Sequence, residues 1–388
     1  MGLVPAGGGH SSVARALSGA LLQEDPSVTI ATVNLASPEY GVLPLMPTPH
    51  LYAALTVNTP KLYRAFFMAT NDMNRYAVIQ QVVEPQMRRR FRRVLAAERP
   101  DVVVVLNAGI AGPLLAASRD VGLAVRLGVV LSDLVCIHPA WMCPEADWYS
   151  APTEEAAEAC VQGGVPVEKI HLIGQPVGAA FCQAPDDRRA LRRSLGLPEQ
   201  VPVVLVVGGG DGVGGLKGTV TALTKAVPGC HIVAIAGRNR LLRQSLLKAA
   251  DPERVTVQGY VTNMANYMWA GDVMLTKAGP NTIMEAVHTG LPLVITGAIP
   301  GQEEANIDFV RRHGLGLVAT ERPQMVSALR ELLSNPARVA EIRANMAALR
   351  RPEATATIAR LILGMPQRIL PDPAPSLVRT DRGARPPS

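Results

Sequence analysis

The stretch TKAGPNTIMEAVHTG, residues 276–290, decides the fold that the sequence predicts. It follows an apolar run typical of a buried strand, and its AGP segment at residues 278–280 predicts a turn into a helix. Proline suits the first helical position because its missing N–H would have no partner there. Asn281 and Thr282 then lie at the positive end of the helix dipole. We therefore expect an anion-binding turn between a strand and a helix.

The residues after this turn suggest that a sugar accompanies the anion. Glu285, one turn into the helix, would repel a phosphate but could accept hydrogen bonds from ribose hydroxyls, with a buried salt bridge as the alternative. After the next strand comes GQEEAN at residues 301–306. Gln302 and Glu303 share a helix face with Asn306, where amide and carboxylate groups can bind sugar hydroxyls. A solvated helix start is the alternative for this segment.

A second glycine-rich turn, VVGGGDGVGG at residues 206–215, follows another predicted strand. Gly210, Gly212 and Gly215 match G-x-G-x-x-G, whose glycines let the backbone approach a diphosphate at a helix N-terminus. The next strand runs into GRN at residues 237–239, and an arginine there could suit the 2′-phosphate of NADP. NADP binding and a glycine turn without a ligand both remain open for this motif alone.

The N-terminal half carries two polar clusters. GGGH at residues 7–10 places His10 at the start of a helix, where the dipole lowers an imidazole pKa and keeps the ring neutral as a base. Capping or packing is the alternative role for a lone histidine. SDL at residues 132–134 and HPAW at residues 138–141 follow a predicted strand, where ligands bind in open α/β sheets.

Length and composition set the scale of the fold. The chain has 388 residues, and 48% of them are hydrophobic although only 4% are aromatic. This excludes disorder of the whole chain and favours two or three α/β domains with buried parallel strands. We expect an N-terminal Rossmann-like domain at residues 1–182, a linker at 183–200, a second Rossmann-like domain at 201–365 and a disordered tail at 366–388.

The pattern of apolar residues predicts individual elements. Predicted strands lie at residues 28–33, 101–106, 125–131, 201–207, 231–236, 273–276 and 291–296. Predicted helices lie at residues 11–23, 61–97 and 154–163, before residue 226, and within 324–349.

Charge favours an anionic partner without choosing one. The net charge of +6 suits nucleotides, nucleic acid or acidic lipid headgroups. The arginines within residues 88–93 suit an anionic membrane surface, with a solvated helix end as the alternative. FFMA at residues 66–69 could enter a bilayer or pack in a core. No D-x-D motif occurs, so metal-assisted diphosphate binding is not indicated.

Compartment and membrane crossing are also constrained. Five scattered cysteines without a C-x-x-C pair indicate reduced thiols. No apolar stretch reaches the length of a membrane span, and no secretory signal is visible. We expect a protein that is soluble or lies on a membrane without crossing it.

Taken in order, these motifs resemble those of the monogalactosyldiacylglycerol synthases and the related bacterial diacylglycerol glucosyltransferases. More distantly they are similar to the peptidoglycan glycosyltransferase that forms lipid II. The matching segments are GGGH at 7–10, SDL and HPAW within 132–141, PTEEAAEACVQGGVPVEKIHLIGQPV at 152–177, GGGDGVG at 208–214, AGRN at 236–239, QGYVTNM at 258–264, TKAGPNTIMEA at 276–286 and GQEEAN at 301–306. Asn281 stands where the family usually has glycine, and Ser11 where it often has arginine.

The resemblance implies a GT-B fold and an inverting transfer of galactose or glucose from a UDP-sugar to diacylglycerol. It implies that His10 is the base and that Lys277 through Thr282 hold the diphosphate in place of a metal, so no metal or other cofactor is expected. The donor-binding residues it implies are Gly210, Gly212, Gly237, Arg238, Asn239, Tyr260, Val261, Lys277, Ala278, Gly279, Pro280, Asn281, Thr282, Glu285, Gln302, Glu303 and Asn306. Tyr260 and Val261 would lie against the uracil. The acceptor-side residues it implies are Gly8, Gly9, Asp133, His138 and Trp141.

The implied partners are UDP-galactose or UDP-glucose, diacylglycerol and an anionic lipid surface, with no nucleic acid. The resemblance leaves the oligomeric state open. It implies a peripheral membrane protein on the cytoplasmic face, or on the plastid envelope in a photosynthetic eukaryote. Three alternatives stay open: a transferase acting on another lipid acceptor, a catalytically silent UDP-sugar-binding module, and an NADP oxidoreductase.

Overall fold

Two parallel β-sheets organise the protein in a computed structural model that describes residues 1–3, 9–34, 55–56, 58–208 and 215–364. The N-terminal elements are β1 (Gly2–Leu3), α1 (Gly9–Glu24), β2 (Val33–Asn34), α2 (Pro60–Thr70), α3 (Met73–Glu98), β3 (Val102–Val105), α4 (Ala111–Asp120), β4 (Arg126–Val130), β5 (Trp148–Ala151), α5 (Glu154–Gln162) and β6 (Ile170–Leu172). Among the described residues, this sheet has the strand order β2-β1-β3-β4-β5-β6.

The second half of the chain forms another parallel sheet from alternating helices and strands. Its elements are α6 (Ala179–Cys182), α7 (Arg188–Ser194), β7 (Val203–Val207), α8 (Leu216–Ala226), β8 (His231–Ile235), α9 (Arg240–Ala249), β9 (Val255–Gln258), α10 (Met264–Ala270), β10 (Val273–Lys277), α11 (Pro280–Thr289), β11 (Leu293–Gly297), α12 (Glu304–Arg312), β12 (Gly316–Val318), α13 (Arg322–Ser334), α14 (Pro336–Leu349) and α15 (Ala354–Leu363). The described strands run in the order β12-β11-β10-β7-β8-β9.

The central strands are the apolar runs of the sequence. β3 reads VVVV, β7 reads VVLVV and β10 reads VMLTK, and nearly all of these side chains are buried. Strands covered by helices on both faces need such continuous apolar runs, because neither face meets water. The structure thus confirms the predicted α/β class with parallel sheets.

The last helix returns to the N-terminal domain, which differs from the predicted boundary at residue 365. Ile358 and Ile362 of α15 share a hydrophobic cluster with Leu17 and Leu21 of α1. On the surface of the same helix pair, Arg360 pairs with Glu24 at 3.0 Å. The two apolar faces bury each other, so α15 belongs to the N-terminal core although it comes last in the chain.

Residues 183–200, predicted as a linker, pack with the C-terminal domain instead. Arg188 and Arg192 of α7 pair with Asp272 at 2.7 Å and 2.6 Å. Leu197 is buried in the same hydrophobic cluster as β7 and β10. Charge pairing and apolar burial together attach this segment to the second sheet.

The remaining differences are short strands. β5, β6, β9 and β12 were not predicted, and β2 is shorter than the predicted strand at residues 28–33. β6 has only half-buried and exposed residues, and β9 alternates buried with half-buried ones, so both lack the long apolar run that marks a central strand. The predicted disordered tail at 366–388 lies outside the described residues.

Candidate active site

A cavity of about 880 Å³ lies between the two domains. Its lining includes residues of α1 and residues of the C-terminal domain that the sequence analysis assigned to the donor. These are Gly9, Ser12 and Arg15 from α1, and Gly237, Tyr260, Val261, Asn281, Thr282 and Glu285 from the other side. These predicted donor-binding residues therefore meet the start of the first helix in one space.

The predicted anion-binding turn is formed at the N-terminus of α11. The pairing of β10 shifts register as the strand reaches Lys277, its last residue. Gly279 caps the helix, and a Cβ atom on it would lie 3.3 Å from Nζ of Lys277 and 3.9 Å from Oγ1 of Thr282. Pro280 has no N–H, and the N–H groups of Asn281 and Thr282 have no partner within the helix. Backbone, hydroxyl and ammonium donors thus lie around one position that can take an anion, and Oε1 of Glu303, the partner of Lys277, lies 3.8 Å from the same point.

Glu303 and Asn306 support this turn rather than form the predicted sugar-binding face. Asn306 is buried, and its Nδ2 donates to the carbonyl of Ala278 at 2.9 Å. Glu303, only 4% exposed, pairs with Lys277 and accepts a hydrogen bond from the N–H of Ile299 at 2.9 Å. The prediction of one shared face was wrong because α12 begins only at Glu304, so Gln302 and Glu303 lie in the preceding turn.

Glu285 of α11 contacts α1. Its carboxyl group accepts a hydrogen bond from Ser12 and lies near Arg15, and it is partly exposed to the cavity. Burial raises the pKa of Glu285 to about 8, against the opposing effects of Ser12 and Arg15. The side chain is therefore placed where hydroxyl groups of a bound ligand can reach it.

The segment predicted to hold the uracil has an exposed aromatic surface. Tyr260 is 45% exposed, and the guanidinium of Arg238 lies 4.4 Å from the centre of its ring. Val261 and Gly237 also line the cavity. Asn239 instead caps α9, because its side chain accepts a hydrogen bond from a backbone N–H of that helix. A planar base can stack in this place, whereas Asn239 has a structural role.

His10 stands at the junction of the two domains. The amide Nδ2 of Asn107, which follows β3, lies 3.0 Å from Nδ1 of His10 and orients the ring. The neighbouring Gly9 packs so closely on the amide of Asn281 that a side chain at residue 9 would collide with it. Buried Gln175 donates to Oδ1 of Asn281 at 2.5 Å. The candidate base and the anion-binding turn are therefore adjacent.

Asp133 lies on the N-terminal domain but faces Gln302, in the loop that precedes α12. It accepts a hydrogen bond from Nε1 of Trp141 at 2.8 Å and another from the side chain of Gln302. Burial raises the pKa of Asp133 to about 6, and the negative charge of Glu303 adds to the rise. Trp141 itself is buried, so it holds Asp133 rather than presenting an open surface to an acceptor.

His138, predicted on the acceptor side, is part of the packing of α2 and α3. Its Nε2 lies 3.1 Å from Oγ1 of Thr70. Its ring lies between Phe67 and Tyr76, at centroid distances of 5.2 Å and 5.4 Å. Burial lowers the pKa of His138 to about 4, so the ring stays neutral. The residue anchors the two helices.

The remaining residues are the predicted glycines and two residues of the site that were not predicted. Gly8, Gly210 and Gly212 lie outside the described residues, and Gly215 precedes α8 as its N-cap with a φ of 69°. Sequence reasoning missed Asn107 and Gln175. Asn107 could have been found, because it follows a predicted strand as Asp133 does, whereas Gln175 carries no local signal.

Sequence comparison identifies the family. Residues 10–177 match the model of monogalactosyldiacylglycerol (MGDG) synthase, and residues 203–358 match the glycosyltransferase family 28 C-terminal domain. The chain thus matches the MGDG synthase family in its N-terminal half and glycosyltransferase family 28 in its C-terminal half. The predicted family is thereby confirmed, and the NADP oxidoreductase alternative is set aside.

Named relatives come from plants and bacteria. The chain is 28% identical to monogalactosyldiacylglycerol synthase 1 of Arabidopsis thaliana, with 90% of this chain and 67% of the relative aligned. It is 29% identical to the spinach (Spinacia oleracea) synthase over 80% and 61%. It is 27% identical to the processive diacylglycerol beta-glucosyltransferase of Bacillus cytotoxicus over 92% and 91%. The chain spans only about three fifths to two thirds of these two plant relatives, whose names place them in the chloroplast.

Solved structures share the fold at low sequence identity. MurG of Acinetobacter baumannii aligns with a TM-score of 0.57 and 17% identity, over 94% of this chain and 98% of that one. MnaA of S. aureus, solved with UDP, aligns with a TM-score of 0.61 and 15% identity over 93% and 94%. Together with the two parallel sheets, these alignments confirm the predicted GT-B fold.

Proposed function

We propose that this chain transfers galactose or glucose from a UDP-sugar to diacylglycerol, with inversion at the anomeric carbon. The main support for the proposal is that Gly9, the neighbour of His10, packs on Asn281 at the N-terminus of α11 and lines the same interdomain cavity. The names of the plant and bacterial relatives support the transferred hexose and the diacylglycerol acceptor.

The donor fits the cavity in three parts. The diphosphate lies at the N-terminus of α11, where N–H groups, the hydroxyl of Thr282 and the ammonium of Lys277 stabilise negative charge. Glu285 binds the ribose hydroxyls, and Tyr260 stacks on the uracil. The hexose then extends toward Gln302 and the N-terminal domain, which binds the acceptor and is called the acceptor domain below.

His10 acts as the general base in the transfer step. Its imidazole takes the proton from the diacylglycerol hydroxyl as the oxygen attacks the anomeric carbon. The bond from that carbon to the β-phosphate oxygen breaks, and UDP leaves with the electron pair. The proton stays on His10, while the growing negative charge on the diphosphate meets the N-terminus of α11 and Lys277. We propose that these groups do this without a resident metal ion.

The acceptor is a lipid, and α2 with α3 offers a surface that fits a bilayer. Its exposed apolar side chains are Leu62, Phe66, Met68, Met73, Val78 and Val82. The predicted FFMA run is therefore divided, with Phe67 buried in the protein and Phe66 exposed. Exposed basic residues Lys61 and Arg75 lie on the same two helices and suit anionic headgroups. We propose a peripheral attachment through this surface.

The arginines of residues 88–93 contribute less to that attachment than the sequence predicted. Arg88 hydrogen-bonds Asp120 with both its Nε and its terminal nitrogen, and Arg92 lies 3.9 Å from the same carboxylate. Part of the cluster's charge is therefore neutralised by α4. Among the described residues, no helix is both long enough and apolar enough to cross a bilayer.

Liposomes that contain diacylglycerol, incubated with the protein and either UDP-galactose or UDP-glucose, test this function. Formation of a hexosyl-diacylglycerol of inverted anomeric configuration supports it. Binding of UDP without product from diacylglycerol or another lipid alcohol would instead identify a silent binding module. Product from another lipid alcohol alone would correct the acceptor.

A further inference from the structure

Helix α2 of the acceptor domain holds the loop that precedes α12. The hydroxyl of Tyr63 donates a hydrogen bond of 2.9 Å to Oε1 of Gln302. One residue on, Nε of Arg64 lies 3.0 Å from the carboxylate of Glu304. These residues are about 240 positions apart in the chain, so only the folded arrangement of the two domains brings them together.

A third contact, the close packing of Gly301 against Phe67, also holds this loop. Gly301 adopts a φ of 82°, and a Cβ atom on it would lie 2.9 Å from the ring of Phe67. Only glycine allows both this backbone conformation and this approach. Tyr63 and Phe67 are one helical turn apart, so one face of α2 contacts the loop through both residues.

The amide of Gln302 is oriented from both ends by the acceptor domain. Its oxygen accepts from Tyr63, and its side chain also hydrogen-bonds Asp133. A carboxylate can only accept, so the amide nitrogen must face Asp133 while the oxygen faces the phenol. Asp133 is held in turn by Trp141. The direction of the Gln302 amide is therefore set by residues that do not belong to its own domain.

We propose that Tyr63 is a positioning residue for donor-hexose recognition, acting through Gln302. The inference rests on the proposed function, in which the hexose extends toward Gln302. An amide with a fixed direction presents its remaining lone pair and N–H at fixed places, and a sugar hydroxyl is read by such a pattern. Discrimination between donor hexoses thus depends on the acceptor domain as well as on the donor domain.

Binding measurements with Tyr63→Phe test this inference independently of catalysis. Calorimetry on the full chain compares UDP with UDP-galactose and UDP-glucose. We expect the variant to bind its preferred UDP-hexose about five- to tenfold more weakly, as for one lost hydrogen bond, and to bind UDP as the wild type does. Tyr267→Phe removes a tyrosine hydroxyl from the C-terminal core and serves as the matched control. Gln302→Ala should show the same loss, and adding Tyr63→Phe to it should cause no further loss.

Each outcome decides the matter. Unchanged UDP-hexose affinity in Tyr63→Phe, an equal loss for UDP, or an additive loss in the double variant would overturn the role of Tyr63. In transfer assays the variant should raise KM for the UDP-hexose and reduce the preference between the two sugars, with little change in kcat. If the wild type binds UDP-hexose but forms no glycolipid, the proposed function fails while the binding comparison still decides the role of Tyr63.

Discussion

The amide Nδ2 of Asn107 lies 3.0 Å from Nδ1 of His10, which ties the candidate base to the end of β3. Asn107 is buried and follows a central strand, so its position is fixed by the sheet. A ring held in this way keeps one orientation, and proton transfer depends on that orientation.

Asn107→Ala should therefore lower kcat for glycolipid formation about tenfold, which corresponds to one positioning hydrogen bond. The affinity for UDP should stay unchanged, because the anion-binding turn is on the other domain. Asn345→Ala, which removes a hydrogen bond to the carbonyl of Gly314, serves as the control. A loss of UDP affinity as large as the loss of kcat would contradict a positioning role.

Glu285 should make stability depend on pH. Burial raises its pKa to about 8, so between its unfolded value near 4.5 and this value the folded protein binds a proton that the unfolded chain has lost. The contribution of Glu285 to stability therefore falls as pH rises through this range and levels off above pH 8.

Thermal unfolding of the wild type and of Glu285→Gln between pH 5 and pH 9 checks this. The variant cannot ionise, so its Tm should exceed that of the wild type by an amount that grows up to about pH 8, at about 2–4 °C for each kcal/mol. A Tm difference that is constant across the series would rule out the raised pKa.

Lys277 and Glu303 form a pair in which the carboxylate is almost fully buried. Lys277→Met should destabilise the protein by about 2 kcal/mol or more, because an unpaired charge is left in the interior. Glu303→Gln added to Lys277→Met should restore most of the loss, since the buried charge is then removed. Urea unfolding measures both, and equal losses for the single and double variants would argue against this pairing.

The apolar face of α2 and α3 should determine attachment to liposomes. Phe66 is 63% exposed, and Phe66→Ser should weaken liposome binding about ten- to hundredfold, because one buried aromatic side chain contributes about 1.5–3 kcal/mol. Val167→Ser, at a residue that is 69% exposed outside α2 and α3, is the control and should leave binding unchanged. Co-sedimentation measures both variants, and a similar loss in the control would refute attachment through α2 and α3.

Transfer should not depend on a divalent cation, because a helix N-terminus and Lys277 already meet the charge of the leaving diphosphate. Initial rates should be the same before and after treatment with a strong chelator. Loss of transfer after chelation, with recovery on adding one divalent metal, would show that the donor site needs an ion.

The fold could be predicted from the sequence where local patterns suffice. The valine runs of β3 and β7 predict buried strands, and the AGP turn predicts the helix that begins at Pro280. The return of α15 to the first domain could not be predicted, because its apolar face gives no indication of which helix will cover it.

The same distinction between local patterns and long-range contacts applies to the residues of the site. The anion-binding turn is local in sequence and was predicted. The predicted acceptor role of His138 had no such support, since burial beside Phe67 and Tyr76 arises only when α2 and α3 fold over it. The contact of Tyr63 with Gln302 joins two domains, so no periodicity or motif could reveal it.

The central claim is that His10 removes the proton from diacylglycerol while the other domain holds UDP. It is tested most directly by measuring, on the same preparations, the rate of glycolipid formation on diacylglycerol liposomes and the affinity for UDP, for the wild type and His10→Ala. We predict that the variant forms product at least about a hundredfold more slowly and binds UDP as tightly as the wild type. Transfer at the wild-type rate by His10→Ala would contradict the account.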